Sequence, residues 1–210
     1  MVFLYDHVIS LIVGSIVVLM LFTVQQRSQQ VNVERTMTYV AKKQLLEFAD
    51  VLERDFTNIG YGSAPNDSVL TAFHVRADGV TDTLAFWGAK ETNLGTVRVQ
   101  IRYVVSLVDS VVVDEGPIPV YQLRRYEREA SGLWVEAGGS PATLSRFSLT
   151  PMVAGSTNTA DFQQADQLQV QVANVVMPTN YEPDNITRGF RHLYWGIMVT
   201  PGSVTGYQGE

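Results

Sequence analysis

The stretch VISLIVGSIVVLMLFTV, residues 8–24, runs without a break into QQRSQQVNVERTMTYVAKKQLLEFADVLERDFTN, residues 25–58, and these two pieces together decide the fold. The first is apolar except for Ser10, Gly14, Ser15 and Thr23, and between Asp6 and Arg27 the only ionisable side chain is His7. Roughly 20 apolar residues are needed to cross ~30 Å of hydrocarbon, so the run lies at the lower edge, and Val2 to Tyr5 add the missing turn. A cleaved signal peptide would need a basic start and a small-residue cleavage site. Asp6 stands where the basic residue should be, and Gln25, Gln26 and Arg27 follow the apolar run, so a retained segment is expected.

The second piece contains neither Pro nor Gly. Val33, Met37, Ala41, Leu45, Phe48, Leu52, Phe56 and Ile59 recur every three or four residues, which puts them on one helical stripe. Arg27, Gln30, Glu34, Lys42, Lys43, Glu47, Asp50 and Arg54 occupy the other face. The stop signal is Gly60-Tyr61-Gly62 followed by Pro65, because Gly accepts a left-handed cap and Pro cannot continue a helix. One helix of about 80 Å is therefore expected to end near Asn58. Its first half is apolar all round and its second half on one side only.

Beyond Pro65 the apolar period changes from helical to alternating. Val97, Val99, Ile101 and Tyr103 alternate with Arg98, Gln100 and Arg102, and Leu168, Val170 and Val172 alternate with Gln167, Gln169 and Gln171. Such alternation places one sheet face on a core and the other in water, as antiparallel sheets do. Strands are expected at Val69–Arg76, Thr83–Trp87, Thr96–Val108, Pro119–Arg128, Leu133–Val135, Leu144–Leu149, Gln167–Met177 and Phe190–Thr200, with turns at Asp78-Gly79, Asn93 to Gly95, Gly116-Pro117, Gly138-Gly139 and Gly155 to Thr159. The expected class is α+β, a long N-terminal α-helix packed on an antiparallel β-sheet domain. It divides into an apolar transmembrane or filament-core half-helix (1–26), an amphipathic half-helix (27–60) and a β-rich head (61–210).

The 210 residues carry 15 Lys plus Arg against 21 Asp plus Glu, a net charge of −6 that gives no chain-wide attraction to phosphate backbones, so no nucleic-acid partner is expected. The absence of cysteine removes disulfides, thiolate metal sites and cysteine nucleophiles together.

The segment Val51-Leu52-Glu53-Arg54-Asp55-Phe56-Thr57-Asn58-Ile59-Gly60-Tyr61-Gly62 resembles the helix end of minor pilins and J-type pseudopilins of the type IV pilin superfamily. Their helices commonly finish as L-x-R-D-hydrophobic-x-x-(A/I)-G-Y. Val99-Gln100-Ile101-Arg102-Tyr103 and Tyr121-Gln122-Leu123-Arg124-Arg125 are similar to that group's paired strands, which carry a hydrophobic-x-Y and then an L-x-R pattern. The resemblance implies a pilin-like fold and a structural subunit of a type IV pilus-like or pseudopilus-like filament. It implies that the chain is held in the inner membrane before assembly and then displayed at the cell surface, with copies of itself or related subunits as partners. Assembly would use the apolar stem: Val8, Leu11, Ile12, Gly14, Ile16, Val17, Leu19, Leu21 and Phe22. Leu45, Phe48, Leu52 and Phe56 would pack the helix on the head. In the family a Glu near the N-terminus neutralises the neighbouring subunit's amine, a part that falls here to Asp6 if mature numbering begins at Val2. The hub helix of the family often loosens near a Gly such as Gly14. The Pro that usually follows is absent, so a continuous or slightly loosened helix is expected.

Asp6 can be weighed by charge alone. A carboxylate beside an apolar run is costly to bury without a partner. The chain offers no Lys or Arg before Arg27. The amine of an adjacent copy would serve, and so would solvation among lipid headgroups. Arg27, Arg35, Lys42 and Lys43 all follow the apolar run, which on charge alone favours a cytoplasmic C-terminal side. That runs against the pilin topology. The alternative function is a single-pass membrane-anchored envelope or particle protein with a β-rich binding domain.

No enzyme is expected, and no catalytic residue, cofactor, metal or small-molecule substrate. His7, His74 and His192 are scattered, Gly60-Tyr61-Gly62-Ser63 lacks the nucleophile-elbow frame, and no Gly-rich phosphate loop occurs. Asp109, Asp114 and Glu115 lack alternating calcium-loop spacing and read as a solvated loop. Arg124, Arg125 and Arg128 form a small basic cluster expected to pair with Glu127 and Glu129, and Trp87, Trp134, Tyr194 and Trp195 are expected in the core or in subunit contacts. Asn66-Asp67-Ser68 and Asn185-Ile186-Thr187 permit glycosylation.

Overall fold

The computed structural model describes residues 2–64, 69–113, 116–129, 132–141, 143–153, 157–158, 165–176 and 191–201. A single α-helix, α1 (Val2–Thr57), precedes nine strands among the described residues: β1 (Leu70–Val75), β2 (Thr81–Thr92), β3 (Gly95–Val113), β4 (Gly116–Arg128), β5 (Val135–Gly139), β6 (Leu144–Val153), β7 (Thr157–Asn158), β8 (Gln167–Val176) and β9 (Arg191–Val199). The class is α+β. At 1.5 Å per residue the 56 residues of α1 extend about 84 Å.

The helix passes through Gly14 without interruption. It ends where expected. Asn58 caps it by donating its backbone N–H and its side-chain amide to Arg54 O, at 3.2 and 2.9 Å. Gly60 then takes φ +83° and donates its N–H to Trp87 O at 2.7 Å, tying the helix exit to β2.

All strand pairs are antiparallel, in the order β1-β2-β3-β4-β6-β8-β9, with β5 added to β4 and β7 to β6. Tyr121 opposite Leu144 is the bridged pair that joins β4 to β6, and α1 packs on β2, β8 and β9, on both sides of that junction. The alternation read from the sequence sets the faces. Val99, Ile101, Tyr103, Leu123, Leu168, Val170 and Val172 are buried against the helix side with Leu45, Phe48, Leu52, Phe56 and Ile59. Each such side chain contributes about 1.5–3 kcal/mol.

Several elements differ from expectation. The strand expected at Leu133–Val135 lies at Val135–Gly139, so Gly138-Gly139 belongs to a strand, where a turn was expected. A Cβ on Gly139 would stand 2.5 Å from Leu123 O, so only glycine lets β5 approach β4 this closely. Thr157–Asn158 pairs with Met152 and Val153, inside a stretch read as a turn. The stripe on α1 is also shorter in its contacts than in its pattern. Val33 and Met37 are exposed, and burial of the apolar stripe begins with Ala41 and Leu45, because below that point the end of β8 stands off from the helix and leaves an open groove.

Candidate assembly stem and the clasp that orients it

Within α1, residues 8–24 pack on nothing among the described residues. Leu11 is 74% exposed and Ile16, the least exposed of the named apolar side chains, 47%. Val8, Ile12, Val17, Leu19, Leu21 and Phe22 are likewise exposed, and a Cβ on Gly14 would find no atom within 4 Å. Two of the polar residues of the run turn their hydroxyls back on the helix. Ser15 Oγ donates to Leu11 O at 2.6 Å, and Thr23 Oγ1 to Leu19 O at 2.9 Å, so both are satisfied by the helix itself. Such a surface suits hydrocarbon or other helices, because the backbone groups and these two hydroxyls are paired within the helix. Among the described residues this is the one helix long and apolar enough to cross a membrane, and its apolar window has no burial within the molecule. Asp6 lies in the helix, but its side chain is outside the described residues.

The other end of α1 is held by both packing and charge. Leu52 and Phe56 are wholly buried, Leu45 and Phe48 nearly so. The Phe56 ring lies 5.9 Å from Phe86 and 5.8 Å, edge-on, from Tyr103. Beside it Asp55, 1% exposed, accepts a hydrogen bond from Tyr103 Oη at 2.6 Å and from Arg125 Nε at 2.5 Å on Oδ2, and from Arg125 Nη2 at 3.2 Å on Oδ1. Arg125 Nη1 also donates to Glu127, whose other oxygen is 2.7 Å from Lys90 Nζ. The three sequence motifs thus meet at one point: Asp55 from the helix end, Tyr103 from β3 and Arg125 from β4. Cross-strand register explains the meeting, since Tyr103 and Arg125 are opposite partners pointing to the helix side.

The electrostatics are closed. Burial, then the charge of Asp55, push the Tyr103 phenol well above its ordinary 10.0, so it remains a donor. Burial works against the Arg125 charge, but the hydrogen bonds and charge of Asp55 outweigh it and hold the guanidinium above its usual value. Burial would also raise Glu127, yet bonds from Lys90 and Arg125 hold its carboxyl below 4.5. A buried ion pair whose carboxylate accepts three hydrogen bonds loses most when one partner is removed. The clasp therefore fixes the azimuth of the helix on the head.

Other expected residues fall elsewhere. The basic cluster splits: Arg125 enters the core, Arg124 lies 3.9 Å from Glu136, and Arg128 donates to Gln100 Oε1. Of the expected pairing with Glu127 and Glu129, Arg125 does pair with Glu127, along β4 and not across strands, because the period of two sends both to the helix side, while Arg124 and Arg128 go to the other face. Trp87 and Trp134 are not core residues. They stack under arginines on that outer face, Tyr194 is exposed, and Trp195 is half-buried against the core. His74 is exposed on β1 with Asp82 Oδ1 at 2.7 Å, and His192 stacks on Tyr194. Asp109 Oδ1 accepts the N–H of Ser110, while Asp114, Glu115 and both glycosylation triplets lie outside the described residues. No group of three metal-ligating side chains occurs among the described residues.

Between the helix and the end of β8, an apolar groove of about 590 Å³ is lined by Val33, Met37, Val40, Ala41, Val175 and Val176. It continues the bare surface of the stem toward the head. The clasp and the arginine face were not among the expected site residues. Their signal lay in the alternation of β3 and β4, which puts Arg98 and Arg102 on one face of β3, and Arg124, Tyr126 and Arg128 on the same face of β4.

Comparison with protein families, curated proteins and solved structures finds no match. A long apolar N-terminal helix packed on an antiparallel sheet is compatible with a pilin-like fold and equally with a membrane-anchored protein.

Proposed function

We propose that this chain is a structural subunit of a type IV pilus-like or pseudopilus-like filament. Its apolar stem would be held in the inner membrane before assembly and its head displayed at the cell surface afterwards. The observation that carries the proposal is that one rigid helix is bare and apolar over residues 8–24 yet locked to a folded head from Leu45 to Phe56. A shared core keeps such stems out of water, worth about 1.5–3 kcal/mol per buried side chain, and replaces their lipid contacts by close helix packing, while the heads tile the outside. The work is assembly, with copies of itself or related subunits as partners and with no catalysis.

The alternative is a single-pass envelope or particle protein whose β-rich head binds a partner. Its support is the same bare helix, long and apolar enough to cross a membrane as a single span. The two readings part in cells expressing Val17→Asp. Under the filament reading this chain appears in sheared surface fibres, and the substitution removes the fibres. Under the alternative the wild-type chain stays in membranes as single copies.

A further inference from the structure

The sheet face turned away from α1 carries a row of arginines. On β3, Arg98 and Arg102 point outward. On β4, Arg128 stands opposite Gln100 and Arg124 opposite Val104, in the same outward register. Taken along the strands, Arg98, Arg128, Arg102 and Arg124 occupy four successive two-residue levels, each about 6.8 Å from the next at ~3.4 Å per residue.

Aromatic rings pack against three of these groups. The Arg98 guanidinium is 4.4 Å from the Trp87 ring, Arg102 is 4.2 Å from Trp134 and 5.6 Å from Tyr126, and Arg128 is 4.8 Å from Trp134. Two cations thus share one indole. Arg98 also donates to Ser63. Among the described residues no carboxylate pairs with Arg102 or Arg128, and Arg102 Nε is buried without a hydrogen-bond partner. Arg124 has Glu136 at 3.9 Å, the loosest of the ion pairs, and Asp82 on the same sheet is engaged by His74. The net charge of −6 averages over faces, and this face is locally basic.

We infer that this face binds single-stranded nucleic acid, with the four arginines on successive phosphates. An extended polynucleotide strand has phosphates at about the spacing of the row, twice the ~3.4 Å per-strand rise of stacked B-form DNA. The indole and phenol rings set among these guanidiniums supply a platform of π-faces on which bases stack. An acidic polysaccharide supplies charge but no planar face for that platform. The inference is independent of the filament proposal, since it needs only the folded head.

The test uses the full chain in uncharged detergent with a fluorescent oligothymidylate longer than the ~16 nucleotides of the largest single-fold sites. With four phosphates neutralised, affinity falls about 50-fold between ~50 and ~200 mM salt, a log-log slope near −2.8. Arg102→Gln with Arg128→Gln halves that slope and weakens binding at least tenfold with unchanged melting temperature. Arg124→Gln, whose side chain is 47% exposed, gives a smaller loss and guards against a folding artefact. Trp134→Phe weakens binding without changing the slope. No binding at ~50 mM salt, binding indifferent to all three variants, or displacement of the oligonucleotide by a lower concentration of a sulfated polysaccharide would each overturn the inference.

Discussion

The two halves of α1 are built from the same helix and end in opposite states. From Leu45 to Ile59 one stripe is buried and the charge at Asp55 is matched by Arg125 and Tyr103; from Val8 to Val24 every apolar side chain stands exposed. Propensity does not separate them, since both are unbroken helix. What separates them is reach: the sheet buries the helix only as far down as Ala41, and beside Val33 and Met37 it leaves an open groove. The bare half is thus a surface already shaped but lacking its partner, and the clasped half fixes the direction in which it projects.

The largest way to break the contrast is to charge the bare half. Val17→Asp places a carboxylate among helices or lipid and should abolish assembly outright, while leaving the melting temperature of the head unchanged. The next is to unmatch the clasp. Asp55→Ala leaves Arg125 buried without its main partner and should cost about 3–5 kcal/mol, read by chemical unfolding, with assembly lost only through the head. Phe56→Ala should cost a similar ~3–5 kcal/mol, whereas Val33→Ala, on the same stripe but below the sheet, should change stability by less than ~0.5 kcal/mol.

A finer test is pH. Glu127 is held below 4.5, so its contribution is complete above that value and is lost as pH falls through the depressed one. Tyr103 is held above 10.0, so its contribution is complete below that value and is lost as pH rises through the raised one. Head stability should fall at both extremes. Glu127→Gln should flatten the acid limb alone, and Tyr103→Phe the alkaline limb alone, as read by melting temperature against pH. The smallest effect is Gly14→Ala, which should firm the isolated helix by about 1 kcal/mol, since nothing stands within 4 Å of the added methyl. Weakened assembly in that variant would mark a close helix approach at Gly14.

Much of this was legible in the residues. The helix, its stop at Gly60 and the inward faces of β3 and β8 follow from period and turn chemistry, which are local. Three things were not local. Where the stripe on α1 stops being buried depends on the extent of the sheet, so Val33 and Met37 carry the pattern without the burial. The β5 strand was hidden because Gly138 and Gly139 read as a turn, when the close approach to Leu123 requires a residue without a side chain. The clasp needed the register that puts Tyr103 opposite Arg125. That register is a pairing between distant segments. Asp55 and Arg125 were each visible as motif residues, but 70 positions apart nothing in the chain joined them.

The most direct test of the central claim is electron cryomicroscopy of fibres sheared from cells that express this chain. The account predicts helical filaments containing it, with residues 8–24 of neighbouring copies packed together at the axis and heads outside. Fibres built without it, or chains present only singly in membranes with the stem surrounded by lipid, would contradict the claim.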